Sequence, residues 1–430
     1  MKISKLLVLI TIGLLFISCN NPKDITEDNV SRIIRTISAD EMMGRHAFSK
    51  EIEKTVQFIE NEFSEIGLQP LPGSNGYRQN FVVYSISPAE VSIRINETNL
   101  NNDDQYFGLL NTEELDWNTE NADIVYISSE DNFRNLFREF SSDSSSSLIV
   151  VAEEHSKWFH RYRSFFSRFN RTMNLDDKPS DIFVLFDSSV ESLNMSWQNN
   201  VETIDLHNIA GMVEGHRTDE IVLFSAHYDH IGVISSTNQD SIANGANDNA
   251  SGVSGVVELA RYFESRPKPK RTLYFVAFAG EEVGGYGARH FSEQINPDEI
   301  VAMINMEMIG KPAIEGPNTA WITGFNRSNL GEIFQEYTEG DFEFYPDPYP
   351  QQNLFYRSDN ATLARLGVPA HSISTTPIDV DQDYHKVSDE FKTLNISHTT
   401  NTIRAIANAS KVIISGKETP TRISLESEDN

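Results

Sequence analysis

From residue 208 onward, short apolar runs alternate with stretches of helical periodicity, and this alternation constrains the fold more than any other feature of the chain. The runs 221–226 and 272–279 are continuously or nearly continuously apolar, as expected of strands that are covered on both faces. A helical stretch at 250–265 separates them, and another apolar run follows at 301–308. Strands that alternate with helices predict an α/β fold with a mostly parallel central sheet flanked by helices.

Ionisable side chains stand where these apolar runs end. In open α/β sheets, binding sites form beyond the carboxyl ends of the strands, so the positions of these side chains suit a site. Taken singly, they have plain structural interpretations, such as a surface pair or a helix cap. The set comprises His227 and Asp229 after the first run, Asp248 in the turn before the helix, Glu281 and Glu282 after the second run, Glu307 in the third, and the late His385.

Together these residues supply the donors that a hydrolase with two metal ions needs. A single carboxylate such as Asp248 has two oxygens and can bridge two cations. Two adjacent carboxylates after a buried strand, Glu281 and Glu282, are costly unless a cation compensates them. One of the pair can bind a metal while the other deprotonates a water molecule. Nitrogen and oxygen donors without sulfur favour zinc, and manganese or cobalt less well.

The composition, and above all the net charge, argues against two classes of binding partner. The chain has 430 residues, is 39% hydrophobic and carries a formal charge of −28. A core of ordinary size is therefore expected, and so strongly acidic a chain repels nucleic acid and anionic lipid surfaces. The sequence does not indicate an oligomeric state.

The N-terminus has the pattern of a secretory signal. A short basic region precedes an apolar run, 6–17, that is too short to span a membrane as a helix. Cys19 is the only cysteine of the chain, so no intramolecular disulfide is expected. Its position after a small residue resembles the lipobox of bacterial lipoproteins. This resemblance implies secretion and a lipid anchor at Cys19, on the periplasmic or outer-membrane face of the cell envelope, as the only membrane attachment.

The remaining chain divides by its patterning. Helical periodicity at 28–37 and 49–66 marks an N-terminal part, whereas the middle of the chain shows only short, alternating strand candidates. We therefore predict an inserted β-rich or mixed subdomain and a disordered acidic tail. The predicted boundaries are 1–18 signal peptide, 19–27 tether, 28–86 N-terminal helical part, 87–206 inserted subdomain, 207–415 catalytic domain and 416–430 tail.

The motif segments resemble those of the M28 family of zinc aminopeptidases, which have a phosphorylase/hydrolase-like α/β fold. They read SAHYDHIG, GANDNASG, FAGEEVG, NMEMIG and DYHK in chain order. The resemblance implies two zinc ions and hydrolysis of N-terminal residues from peptides. It assigns His227 and Glu307 to one ion, Glu282 and His385 to the other, and Asp248 as the bridge. It makes Glu281 the general base, Asp229 the residue that orients His227, and Tyr384 a stabiliser of the oxyanion.

One position departs from the family pattern, and several functions stay open. The family usually has Asp where this chain has Glu307, and the extra methylene moves the carboxylate outward. His230 is expected to make a polar contact, His371 to be a core histidine, and Arg357 to lie near the substrate. A carboxypeptidase of the same family would need a basic clamp for a free carboxylate. A glutaminyl cyclase-like acyltransferase with one zinc is a further possible function, and so is a non-catalytic binding protein on the same fold.

Overall fold

The computed structural model describes residues 23–100, 104–140, 145–166, 170–175, 179–235 and 240–425. The predicted signal peptide 1–18 and Cys19 lie outside the described residues. Within the described ranges, no helix has both the length and the apolar character needed to cross a bilayer. The α-helices are α1 (Glu27–Ile37), α2 (Ile52–Ile66), α3 (Phe133–Phe140), α4 (Ser156–Phe166), α5 (Gly252–Glu264), α6 (Tyr286–Gln294), α7 (Leu330–Tyr337), α8 (Asn360–Ala364) and α9 (Ile396–Ile414).

Two main sheets hold most of the strands. The strands are β1 (Arg78–Ile95), β2 (Thr98–Leu100), β3 (Tyr106–Leu109), β4 (Glu114–Asn118), β5 (Asp123–Ile127), β6 (Ser147–Val151), β7 (Asn170–Thr172), β8 (Asp181–Leu185), β9 (Leu193–Val213), β10 (Arg217–His227), β11 (Gly232–Val233), β12 (Ile242–Ala243), β13 (Arg271–Phe278), β14 (Ile300–Met306), β15 (Thr319–Ile322), β16 (Glu343–Pro346) and β17 (Ala370–Ser374).

The large sheet has the strand order β16-β15-β17-β14-β10-β13-β9-β1-β2, with β4 paired to β9 and β7 paired to β1. Its four central strands, β17, β14, β10 and β13, are parallel, whereas β9 and β1 join beside β13 in antiparallel pairs. The predicted α/β class is confirmed, and the parallel order holds for the centre of the sheet. The carboxyl ends of these central strands all point to the same edge.

The central strands are buried on both sides because helices cover both faces of the sheet. All eight residues of β13 are buried, which agrees with its continuous apolar sequence. On one face, α1, α2, α5, α7 and α9 pack into the largest apolar core. On the other face, α6 and α8 pack into a smaller core around Phe278 and Phe291. The central strands are therefore held between two helical layers.

Capping residues determine where α1 begins and where α2 ends. The Thr26 hydroxyl accepts the Asn29 N–H at 3.3 Å at the start of α1, and Gly67 ends α2 with a left-handed φ of 92°. The predicted tether 19–27 is too long at its C-terminal end. Ile25 is 2% exposed within the core, and the Lys23 N–H donates to Ser265 Oγ at 2.9 Å. An apolar residue and satisfied backbone groups fix this segment against the domain.

The middle of the chain forms a second sheet, β3-β8-β6-β5, with α3 and α4 on one face. We call residues 104–187 the inserted unit. Its other face packs against the distal halves of β1 and β9, around Trp197 and Ile95. These two strands pair from Arg78 opposite Ile209 to Ile95 opposite Leu193. Apart from an irregularity between Pro88 and Glu90, the two strands therefore continue as one pair through the predicted subdomain boundaries.

The predicted disorder of the tail is wrong for its described part, residues 416–425. Ile423 is 4% exposed in the smaller core, and its N–H donates to the Gly367 carbonyl at 3.0 Å. The Arg271 guanidinium donates to the Glu418 carbonyl at 2.8 Å. One buried apolar side chain and these backbone contacts hold the segment. Residues 426–430 lie outside the described ranges.

Candidate metal centre

Three adjacent parallel strands deliver three of the predicted residues to one edge of the sheet. His227 is the last residue of β10, Glu282 follows β13, and Glu307 directly follows β14. Because β10 lies between β13 and β14, the carboxyl ends of the three strands meet. The geometry agrees with the position of sites in open α/β sheets.

The other two predicted donors come from segments without regular strands. Asp248 lies in the tight turn Ala246–Ser251 that leads into α5, and its side chain is 4% exposed. His385 lies between β17 and α9 and has a left-handed φ of 56°. Five stretches of chain that are distant in sequence therefore meet at one place.

The first donor group contains His227, Asp248 and Glu307. His227 Nε2 lies 3.3 Å from Asp248 Oδ1 and 3.2 Å from Glu307 Oε1. Three donors in reach of one another, two of them buried, are the arrangement that a divalent cation requires.

The second donor group contains Glu282, His385 and the other oxygen of Asp248. His385 Nε2 lies 3.3 Å from Asp248 Oδ2 and 3.0 Å from Glu282 Oε2. This ring nitrogen is buried, yet it makes no hydrogen bond within the described part of the chain. Donors placed tetrahedrally about 2.0–2.2 Å from a zinc ion lie about 3.3–3.6 Å from one another. The separations in both groups, 3.0 to 3.3 Å, lie at or just below this range, so the donors need to move apart only slightly to hold a zinc ion.

The titration of these groups reflects their closeness. Burial opposes the charged form of His227, but the carboxylates of Glu307 and Glu281 outweigh it and raise its pKa well above the usual value. Burial likewise opposes the charge of His385, and the adjacent carboxylates of Asp248 and Glu282 raise its pKa to about 10. Burial also opposes the charge of Asp248, but the three neighbouring imidazoles hold its pKa well below the usual range. The raised pKa values of the two imidazoles and the lowered pKa of Asp248 have the same meaning. Positive charge is stabilised at this site because ionised carboxylates lie beside it.

Glu307 accommodates its extra methylene through a second contact. Its Oε1 faces His227, while its Oε2 accepts the Ser358 hydroxyl at 2.7 Å. Asn305 in turn donates to Ser358 Oγ at 2.9 Å, which fixes the direction of the hydroxyl. One carboxylate oxygen is therefore occupied by the protein and only the other faces the donor group.

Asp229 supports the site differently from the predicted way. The acceptor next to His227 Nδ1 is the main-chain carbonyl of Asp229, at 3.1 Å, whereas the nearest carboxylate oxygen is 3.9 Å away. The carboxylate instead accepts the N–H groups of Glu281 at 3.1 Å and of Glu282 at 3.3 Å. Asp229 therefore fixes the main chain of both glutamates, and its carbonyl orients the ring.

Glu281 and Tyr384 face the same cavity as the donor groups. Burial and the neighbouring carboxylates of Glu307, Asp359 and Glu282 raise the pKa of Glu281 well above its usual value, although His227 opposes this effect. Tyr384 is 38% exposed, and its ring stacks on that of His385 with 3.9 Å between centroids. A carboxyl group with a raised pKa beside a metal site has the properties of a general base.

The cavity combines this polar floor with an apolar wall. Its volume is about 140 Å³, close to that of cavities that hold one benzene ring, about 150 Å³. Arg357 also lines it, as predicted, and is a surface-exposed cation. The apolar lining consists of Met308, Trp321, Leu354 and Ile378.

The structure shows the contacts of two further histidines, His230 and His371, for which the sequence predicted no metal. His230 Nδ1 lies 2.8 Å from Glu282 Oε1, which is the expected polar contact, and 3.7 Å from Asp248 Oδ2, so it could also share a metal ion with these two carboxylates. His371 is fully buried in β17, where its ring nitrogens contact the Thr323 carbonyl at 2.8 Å and Ser328 Oγ at 2.7 Å. It is thus a satisfied core histidine.

Sequence reasoning missed several residues that hold the turn around Asp248. The Asp389 carboxylate accepts the Asn247 N–H at 2.9 Å and the Asp248 N–H at 3.0 Å. The Asn249 side chain donates to the Met306 carbonyl at 2.9 Å and accepts the Met308 N–H at 3.1 Å. The one available signal was the pair of asparagines that flank Asp248 in a Gly-bounded segment. Nothing in the sequence pattern marked Asp389.

Comparison with known proteins identifies the region that carries the site. Residues 208–410 match the family described as Peptidase family M28. A probable zinc metalloprotease of Pyrenophora tritici-repentis is 37% identical over 127 residues, which are 28% of this chain and 27% of that protein. Aminopeptidase YwaD of Bacillus subtilis is 34% identical over 158 residues, 36% of this chain and 27% of YwaD. The chain therefore spans about a quarter of the length of these relatives.

A solved structure extends the likeness of the fold beyond this region. The zinc aminopeptidase BSAP of Bacillus subtilis superposes with a TM-score of 0.53 and 15% identity, over 92% of this chain and 97% of that one. At such identity the likeness concerns the fold alone. All five predicted metal-binding residues lie within the matched segment. Residues 208–410, which hold all five, are therefore the part of the chain that is similar to peptidase family M28.

Proposed function

We propose that this chain is a two-zinc aminopeptidase. The observation that carries the proposal is the position of Asp248, whose two carboxylate oxygens each lie 3.3 Å from the imidazole nitrogen of a different donor group. One carboxylate between two such groups is the arrangement that two neighbouring cations require. YwaD and BSAP, by their names, are aminopeptidases, and BSAP is a zinc enzyme.

In this proposal the donors are divided as the family resemblance implies. His227 and Glu307 would hold the first ion, Glu282 and His385 would hold the second, and Asp248 would contribute to both. Each ion would then have three protein donors, the number typical of catalytic zinc. Manganese or cobalt would accept the same nitrogen and oxygen donors.

The chain's own residues supply the proton transfers. When bound, the two cations provide Lewis-acid chemistry that polarises the scissile carbonyl. Glu281 accepts a proton from the attacking water and returns it to the leaving amine. A cation nearby favours the carboxylate form and so brings the raised pKa of Glu281 back toward the working range. Tyr384, which lines the cavity, donates a hydrogen bond from its hydroxyl to the developing oxyanion.

We propose the N-terminus of a peptide as the end that enters the cavity, because YwaD and BSAP are aminopeptidases by name. The apolar wall formed by Trp321, Leu354 and Ile378 suits one apolar side chain. The substrate we propose is therefore a peptide with a free amino group and an apolar first residue.

A second candidate is a carboxypeptidase of the same family, and Arg357 is the observation in its favour. It is the cationic side chain among the described residues that line the cavity, and a carboxypeptidase needs a cation for the substrate's free carboxylate. The protein is an aminopeptidase if the N-terminus of the peptide enters the cavity and a carboxypeptidase if the C-terminus does. A glutaminyl cyclase-like enzyme would hold one zinc, and a binding protein would not turn substrate over.

Zinc analysis combined with paired substrates tests these functions. We expect two zinc ions per chain and hydrolysis of leucine 4-nitroanilide, but not of its N-acetylated form, because acetylation removes the ammonium group. Glu281→Gln should lower kcat by about 10²–10⁴-fold while both ions stay bound, since it removes only the proton acceptor. Cleavage of N-acetylated peptides from the carboxyl end would favour the carboxypeptidase, and one zinc with cyclisation of N-terminal glutamine the cyclase. Unchanged turnover in Glu281→Gln would remove that base assignment.

We also propose that the protein is secreted and anchored by a lipid on Cys19. The support is the basic and apolar N-terminal pattern that precedes this cysteine. Mass spectrometry of the mature protein should find a lipidated Cys19 as its first residue. An unmodified cysteine, or a chain that retains residues 1–18, would contradict the proposal.

A further inference from the structure

Arg45 is a buried cation directly beneath the metal centre. It ends the short turn Asp40–Arg45 between α1 and α2, with a left-handed φ of 51°, and it is 0% exposed. Buried arginine is rare unless its guanidinium finds partners. Its position therefore needs an explanation.

The guanidinium donates all five of its N–H groups to main-chain carbonyls. Nε donates to Tyr228 at 2.8 Å, between His227 and Asp229 in the sequence. Nη1 donates to Asn244 and to Ile37, the latter at 3.2 Å. Nη2 donates to Gly245 at 2.9 Å and to Asp248 at 3.4 Å. Four of the five acceptors lie in the two loops that carry His227 and Asp248.

The main chain around Arg45 is built for the same contact. The Arg45 carbonyl accepts the His230 N–H at 3.2 Å, on the loop that follows β10. Gly44 has a φ of 67°, and a Cβ there would lie 2.5 Å from the Ala243 carbonyl oxygen and 2.7 Å from that of Gly232. Only glycine permits so close an approach. The turn is thus pressed against both loops.

The charge of Arg45 also suits the site. Arginine is protonated at neutral pH, and the carboxylates of Asp248, Asp389 and Asp229 lie near enough to stabilise its charge. A lysine has one nitrogen and could not reach carbonyls on both loops. The planar guanidinium is therefore the suitable group for this position.

We propose that Arg45 is a positioning residue of the metal centre, which holds the loops of His227 and Asp248 in register so that the two donor groups are formed before metal binds. The inference rests on the proposed metal binding. A residue outside the M28 match at 208–410 then determines the metal affinity of that domain.

The test compares Arg45 with a matched buried arginine far from the site. Arg271 is 3% exposed and donates to the carbonyls of Ile413 at 2.7 Å and Glu418 at 2.8 Å. It begins β13, at the opposite end of that strand from Glu281. Zinc affinity is measured by competition with a chelator for wild type, Arg45→Met, Arg45→Lys and Arg271→Met, with near-ultraviolet circular dichroism to confirm folding.

We expect zinc affinity to fall about 10–100-fold in Arg45→Met, as for other groups that orient metal ligands, and less in Arg45→Lys. Arg271→Met should lose thermal stability but keep wild-type zinc affinity. Folded Arg45 variants with wild-type affinity, an equal loss in Arg271→Met, or failure of both Arg45 variants to fold would overturn the positioning role. If Arg45→Met alone fails to fold, the affinity of Arg45→Lys decides. A wild-type protein that binds no zinc would instead refute the proposed function.

Discussion

The region that matches family M28, residues 208–410, and the inserted unit both combine a sheet with helices, yet they bury different chemistry. The matched region places His227, Asp229 and Asp248 at 0–3% exposure at one edge of its sheet. The inserted unit buries mainly rings, such as Phe107 and Phe183, which stack with 4.8 Å between centroids. Rings need only close packing, whereas buried ionisable groups are costly without partners or cations. One region therefore buries groups that need a chemical partner, whereas the other buries groups that need only close packing.

The largest expected effect is the loss of both metals in Asp248→Ala. Its carboxylate contributes to both donor groups, so zinc affinity should fall more than about 100-fold at each, beyond the effect of groups that merely orient ligands. Asp181, a buried aspartate of the inserted unit, is the control. Asp181→Ala should reduce stability and leave two zinc ions per chain. Equal zinc loss in both variants, measured by mass spectrometry of metals, would erase the contrast between the regions.

A smaller effect is expected for a ring in the inserted unit. Phe183→Ala removes a fully buried side chain and should lower the free energy of unfolding by about 3–5 kcal/mol. Zinc stoichiometry should not change, because the ring contacts no donor. The matched variant Phe275→Ala removes a buried ring from β13, the strand that leads to Glu282, so it should reduce zinc affinity as well as urea resistance. The two regions would not be independent if Phe183→Ala released zinc.

Tyr384→Phe sharpens the comparison within the site itself. Removing one oxyanion donor typically lowers kcat about 10²–10³-fold, and we expect the lower end because Tyr384 is 38% exposed. KM and zinc content should stay close to wild type, since the ring still stacks on His385. Steady-state kinetics with leucine 4-nitroanilide measure this effect. A wild-type kcat would exclude the hydroxyl from the reaction.

The smallest effect concerns the pH dependence of stability. Burial lowers the pKa of His371 to about 4 from 6.5, so the unfolded chain binds this proton first as the pH falls. His371 should therefore cost about 2 kcal/mol of unfolding free energy between pH 7 and pH 5. His371→Asn should flatten this slope by that amount in urea titrations. His160→Asn, at an exposed position of the inserted unit, should leave the slope unchanged, and an equal effect at both positions would contradict burial as the cause.

The donors could be predicted from sequence because each lies in a short motif, which for three of them stands at or just after the end of an apolar run. His227 ends such a strand, and Glu282 and Glu307 follow strands whose burial is visible in their composition. Arg45 and Asp389 could not be predicted, because they bind main-chain groups and any sequence offers those. Contacts to the backbone leave no side-chain pattern, so the supports of a site are harder to predict than its ligands.

Two parts of the fold were hidden for a similar physical reason. The long strands β1 and β9 mix buried and exposed residues without strict alternation, so their continuity across the insertion was not evident. The acidic composition of the tail concealed the single apolar anchor at Ile423. Composition predicts average behaviour, whereas one buried side chain decides the path of a short segment.

The distribution of the donors along the chain has a consequence for biogenesis. His385 and Asp389 leave the ribosome long after His227, whereas Arg45 emerges near the start of synthesis. A nascent chain therefore lacks one histidine of the second donor group until synthesis is nearly complete. Under the proposed function, hydrolysis would begin only once this late segment has joined the rest of the site.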